Sequence, residues 1–221
     1  MIRDKYVALV FRIAAIIWTI LGLRTTTLSM LMYYTILSNM LALVMFVILA
    51  VVTVRDIRKN GRYGNAGYYP VFSFAAGIDL MLTLVGYWFL LSPTVFTMDG
   101  AFQWSFFNMT VHLFVPILCF LDFLLFSPNK SLKYKHVYYV VAFPWAYVLV
   151  TTIAGLLGHV YQMPGSEPTR FAYFFIDFDK IGAMVFVYIA VLTLFFLILG
   201  HLLYLYDSKV DKESLFRKKK S

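Results

Sequence analysis

A hydroxyl and an imidazole stand out against the apolar background of this chain: Thr35 in the string MYYTILSNM, and His112 in NMTVHLFVPILCF. A threonine hydroxyl is a poor nucleophile until a base takes its proton, and a histidine within hydrogen-bond reach can be that base. Together they suit acyl transfer. Thr35 would attack an ester carbonyl, His112 would pass the proton to the leaving alkoxide, and water would hydrolyse the acyl-threonine. The charge developing on the carbonyl oxygen needs donors, and Asn39 is the nearest candidate by helical stacking. Each residue also has a plainer reading, because a lone threonine or histidine in a membrane helix commonly bonds its own backbone or a neighbouring helix. Soluble-enzyme signatures such as a GxSxG elbow, an HExxH pair, a Walker loop or a dinucleotide fingerprint do not occur. Four histidines without a pair at four-residue spacing argue for no metal, and no cofactor is expected.

The elements that must position this pair are membrane helices. Of 221 residues, 62% are hydrophobic and 14% charged, and the mean hydropathy is +0.79. A bilayer core takes about 20 apolar residues as helix. Six such segments are predicted, near 6–23, 33–54, 69–92, 105–127, 136–158 and 181–206, which makes 1–221 a single all-α polytopic domain. Their apolar runs lack the two-residue alternation of a barrel. No internal repeat is evident.

Basic residues near span ends hold those ends in the cytoplasm. With the N-terminus inside, 15 of the 19 Lys and Arg fall on the cytoplasmic side, so both termini are predicted cytoplasmic. The formal charge of +8 is then a topology signal with attraction to anionic lipid, and no nucleic-acid partner is needed to explain it. The first span follows a short charged start without an Ala-x-Ala-like cleavage site and is read as a retained helix. Cys119, the single cysteine, excludes an internal disulfide and reads as packed core. The ending KKKS serves as a positive-inside anchor, or in a eukaryotic cell as an endoplasmic-reticulum retrieval signal. The expected membrane is the plasma (inner) membrane in a bacterium or the endoplasmic reticulum in a eukaryote. The longest connection, HVYQMPGSEPTRFAYFFIDFDK, breaks at Pro164, Gly165 and Pro168 yet is rich in aromatics, so it is expected to fold back as a lid at the outer interface.

Polar groups inside hydrocarbon are costly and mark cavities or functional sites. Arg12, Thr35, Ser38, Asn39, Asp79, His112, Asp122 and His201 lie within the predicted spans. At about 1.5 Å per residue, Thr35 and His112 fall in the outer half of the bilayer, within about 10 Å of each other in depth. They meet if their helices are neighbours. Thr35, Ser38 and Asn39 share one helical face through i, i+3 and i+4 stacking. Pro116 lacks the N–H that would bond the His112 carbonyl, which favours a kink beside the imidazole. Asp79, near mid-depth, can orient His112 or pair with Arg12. Asp122 lies about 15 Å further along its helix than His112, too far to orient it directly.

Three stretches resemble the androgen-induced family of intramembrane threonine hydrolases, and more closely its bacterial six-span relatives. YYTILSN is similar to the family's aromatic-x-Thr-hydrophobic-Leu element, VHLFVPILCFLD to its histidine element, and YFFIDFDKIG to the acidic element leading into its final helix. The departures are Ser38-Asn39 where animal members carry an acidic residue, and Phe174 where bacterial relatives tend to carry proline. The resemblance implies six membrane helices, Thr35 and His112 as the catalytic pair, and a fatty-acid ester substrate entering from the bilayer. The reading is a lipid ester hydrolase, with Arg12, Ser38, Asn39 and Asp79 as supporting candidates. The alternatives are a proton-coupled transporter relaying through Arg12, Asp79 and His112, and a scaffold in which Thr35 and His112 merely join helices. Oligomeric state is left open.

Overall fold

The computed structural model describes residues 1–92, 104–162 and 167–210. Pro164, Gly165 and the basic residues after Asp207 other than Lys209 lie outside these. Six helices are long and apolar enough to cross a membrane: α1 (Lys5–Leu23), α2 (Tyr34–Asn60), α3 (Pro70–Leu91), α4 (Phe106–Phe126), α5 (Tyr134–Leu156) and α6 (Met184–Lys209). No strand occurs among the described residues. The multi-pass all-α architecture expected from the sequence is present.

Helix ends follow backbone chemistry more than hydropathy. Asp4 caps α1 by accepting from the N–H groups of Tyr6 and Val7. Expected to end near residue 54, α2 continues to Asn60 and stops where Gly61 takes φ 76°. Gly182, at φ 53°, breaks the run expected from 181, so α6 begins at Met184.

Helices α1 to α4 pack as a bundle around Ala15, Ala42, Met45, Phe46, Leu49, Ala76 and Cys119. Small residues at α1 Ala15, α2 Ala42 and α3 Ala76 let these helices approach closely. Cys119 is buried and unpaired as a thiol, as expected. A second cluster, including Phe74, Phe123, Val140, Phe196 and Leu203, joins α5 and α6 to α3 and α4. Residue 2, the α4–α5 connection and the end of α6 meet on one face through Ile2 N–H to Leu125 O (2.8 Å) and Lys130 N–H to Asp207 O (3.0 Å). We call this the terminal face and its opposite the far face. Many large apolar side chains point outward, among them Val10, Leu149, Phe186 and Leu194, as lipid solvation allows.

The segment before α6 folds back over the far face. Tyr161 and Thr169 exchange backbone hydrogen bonds of 2.7 and 2.9 Å, and Phe171, Ala172, Tyr173 and Ile176 bury against Tyr34 and Tyr147. Gly155 of α5 makes this possible, since a Cβ there would stand 1.9 Å from the Arg170 carbonyl oxygen. The fold-back expected for this aromatic segment is what the structure has.

Candidate active site

Thr35 stands in the first turn of α2. A short 3-10 turn (Leu28–Met32) leads to extended Tyr33, whose carbonyl accepts the N–H groups of Ile36 and Leu37. His112 reaches it from α4, where residues Thr110–Phe114 form a π-helical turn. The Thr35 Oγ1 to His112 Nε2 distance is 3.2 Å.

Pro116 and Asn39 explain the local shape of α4. In the π turn the Val115 N–H reaches back to the Thr110 carbonyl, and the next residue, Pro116, has no N–H. The carbonyl left open is that of Val111, not the expected one of His112, because the register has already slipped by one residue. Asn39 Nδ2 closes it at 3.0 Å and also donates to the Thr35 carbonyl at 2.7 Å. Both amide protons of Asn39 are therefore committed, leaving none for an oxyanion; it ties the Thr35 turn to the His112 turn. Ser38 accompanies it, within 3.1 Å of the Thr35 carbonyl and 3.0 Å of the Thr83 hydroxyl.

The imidazole is fixed in three ways. Its Nδ1 lies 3.2 Å from the Asn108 carbonyl oxygen, which only accepts, so Nδ1 carries a proton. In the neutral ring, Nε2 then presents its lone pair to the Thr35 hydroxyl. Tyr87 stacks on the ring at 3.8 Å and 24°, and its hydroxyl accepts from Asn108 Nδ2 at 2.7 Å. A second π turn, Gly86–Leu91 in α3, carries Tyr87 to this place. Gly22 of α1 admits Thr110 so closely that a Cβ there would stand 2.2 Å from the Thr110 methyl.

On the other side of Thr35 lies a cavity with about 730 Å³ of empty volume including its mouth. Thr35, Leu82, Trp145, Tyr147, Tyr173 and Phe196 are among its walls, which are apolar and aromatic and contain no Asp, Glu, Lys or Arg. His112 is not one of its lining residues, so the order is cavity, threonine hydroxyl, imidazole, Asn108 carbonyl.

Arg12 and Asp79 do not pair. Arg12 binds Asp122 through Nε (2.8 Å) and Nη2 (3.3 Å), donates to Thr53 Oγ1 (2.7 Å) and to the Ala66 carbonyl (2.9 Å), and lies over the rings of Phe126 and Tyr68. The reason is helix neighbourhood: the polar end of Arg12 faces α4 and the α2–α3 connection. Asp79 is buried, and among the described residues its Oδ1 has no hydrogen-bond partner and His112 bonds Thr35 and Asn108 instead. Neither residue supports the Thr35–His112 pair directly. Four residues not singled out from the sequence belong to the site: Tyr87, Asn108, Tyr147 and Tyr173. Asn108 was readable, being four residues before His112 on the same helix face.

Among the described residues, no group of three His, Cys, Asp or Glu side chains is placed to hold a metal ion. Comparison of the chain with protein-family models, curated proteins and solved structures finds no match.

Proposed function

We propose that this protein is an intramembrane threonine-dependent hydrolase of lipid esters, with Thr35 as nucleophile and His112 as general base. The observation that carries the reading is the 3.2 Å contact between Thr35 Oγ1 and a His112 Nε2 whose other ring nitrogen is tied to a carbonyl. In the reaction, Thr35 Oγ1 adds to the ester carbonyl carbon as its proton passes to Nε2. The tetrahedral intermediate collapses, and the leaving alkoxide takes that proton. His112 then removes a proton from water, which attacks the acyl-threonine; as the acyl C–Oγ1 bond breaks, His112 returns that proton to Thr35 Oγ1 and the acid leaves.

The substrate class follows from the walls. An apolar, aromatic-walled cavity beside the nucleophile suits a fatty acyl chain. Its lining includes side chains of both α5 and α6, and Trp145 and Thr193 face outward there, joined by a 3.0 Å hydrogen bond. The chain enters sideways from the bilayer between these helices. Resemblance to the androgen-induced family narrows the class to fatty-acid esters of hydroxy fatty acids. The charge asymmetry of the loops supports a cytoplasmic terminal face, with the site in the opposite leaflet.

The transporter reading loses support because Arg12 is held by Asp122, Thr53 and the Ala66 carbonyl, leaving no relay from Arg12 to Asp79 and His112. The test is hydrolysis of a fatty-acid ester of a hydroxy fatty acid by protein purified in detergent micelles, with mass analysis of the Thr35 peptide. Released fatty acid and a transient acyl increment on that peptide, both lost in Thr35→Ala, are expected. Hydrolysis undiminished in Thr35→Ala would refute the assignment.

A further inference from the structure

Acyl transfer at Thr35 requires donors for the carbonyl oxygen, and Asn39 has none to give. The tyrosines around the cavity differ in what their hydroxyls do. Tyr147 donates to the Met32 carbonyl at 3.0 Å, and Tyr34 to the Asp79 carbonyl at 3.3 Å. The Tyr87 hydroxyl accepts from Asn108 Nδ2, and its ring is stacked on the imidazole. Tyr173 is only 7% exposed, lines the cavity and donates to no carbonyl among the described residues. The polar groups acting on its hydroxyl include the hydroxyl and backbone N–H of Thr35 and the hydroxyl of Tyr147.

The Thr35 N–H is directed to that same Tyr173 hydroxyl oxygen. As one of the first N–H groups of a 27-residue helix it has no intrahelical acceptor, and the Tyr33 carbonyl is already taken by Ile36 and Leu37. The Tyr173 O–H is thus the donor left on the cavity side of Thr35, and the Thr35 N–H, at the positive end of the α2 dipole, strengthens it by donating to its oxygen.

Resting on the proposed hydrolase reading, we infer that the Tyr173 hydroxyl is the oxyanion donor of this site. As Thr35 Oγ1 bonds to the carbonyl carbon, the carbonyl π electrons move to oxygen, and that oxygen accepts from the Tyr173 hydroxyl. On collapse the pair returns to the C=O bond and the alkoxide leaves with the proton from His112. Tyr173 keeps its own proton throughout. Burial pushes its hydroxyl up to about 12, so it remains a donor at neutral pH.

The ring is held for this purpose. Phe175 stacks on it at 5.2 Å and 4°, and Tyr33 meets it edge-on at 5.9 Å. The Tyr161–Thr169 backbone pair and the close seat of Arg170 on Gly155 fix the segment that carries it. Tyr173 is therefore a catalytic residue contributed by the fold-back segment, and the site is incomplete without that segment.

The experiment compares wild type, Tyr173→Phe and Tyr33→Phe, the last removing a hydroxyl next to the same ring but outside the cavity. For each, kcat and KM are measured on a 4-nitrophenyl fatty ester, and Ki on an alkyl trifluoromethyl ketone, which becomes an alkoxide when Thr35 adds to it. Thermal unfolding checks that each variant is folded. Tyr173→Phe is expected to lose about 10²-fold in kcat and to raise Ki by a similar factor, with KM held within about 2-fold and Tyr33→Phe near wild type. Unchanged kcat and Ki, or KM and Ki rising together, overturns the oxyanion assignment while leaving Thr35 as nucleophile. Absence of turnover by the wild type removes the hydrolase reading and this inference with it.

Discussion

Two buried polar sites, one toward each face, are built on opposite plans. Near the terminal face, Arg12 and Asp122 are 0% and 1% exposed, and the guanidinium is saturated by a carboxylate, a hydroxyl, a carbonyl and two aromatic rings. Toward the far face, the Asn108 carbonyl, His112 and Thr35 form a chain that ends at an apolar cavity, beside a Tyr173 hydroxyl that donates to no carbonyl among the described residues. Burial alone does not separate a structural cluster from a reactive one. What separates them is whether every donor and acceptor already has its partner. A saturated pair fixes helices α1 and α4, whereas an unsaturated one can take up a further group.

Breaking each site should therefore give opposite results. Thr35→Ala is expected to reduce ester hydrolysis to background while shifting unfolding by no more than about 1 kcal/mol. His112→Gln should cost about 10²–10⁴-fold in kcat, again with little loss of stability. Arg12→Met reverses the pattern: leaving Asp122 buried without its partner is expected to destabilise by about 3–5 kcal/mol in a detergent unfolding titration, with activity per folded molecule near wild type. Arg12→Met combined with Asp122→Leu should recover most of that stability, and failure to recover would show that the pair does more than hold helices.

Asn39 sharpens the comparison because it belongs to both plans. Its amide is saturated on the donor side, yet it braces the reactive pair. Asn39→Leu is expected to cost about 1–3 kcal/mol and to lower kcat about 10-fold by letting the two turns drift apart. The smallest effect is expected for Asp79→Asn, since Oδ1 has no partner to lose: hydrolysis near wild type and a stability change under about 1 kcal/mol. A large loss of hydrolysis in Asp79→Asn would contradict its exclusion from the site.

The Thr35–His112 pair was legible because hydrocarbon makes polar residues conspicuous, and rise per residue fixes their depth. The six spans were legible for the same reason, and their ends were misjudged where a glycine with positive φ, as at Gly61 and Gly182, overrode the hydropathy. Partner choice was not legible. Depth allowed Arg12 to meet Asp79 or Asp122, and only the packing of α1 against α4 selects Asp122. The effect of Pro116 was readable as a disturbance, but which carbonyl it opened depends on the π register. Tyr173 was hidden among four other aromatics from Phe171 to Phe178 and nearby Tyr161, and nothing in pattern or spacing marks the one whose hydroxyl faces Thr35.

The central claim is that Thr35 is a nucleophile activated by His112. Its most direct test is labelling of the purified protein with a fluorophosphonate probe, followed by peptide mass analysis, in wild type, Thr35→Ala and His112→Ala. An adduct on Thr35 in the wild type that is absent from both folded variants is the predicted result. No adduct on the folded wild-type protein, or an adduct on Thr35 that forms equally fast without His112, would contradict it.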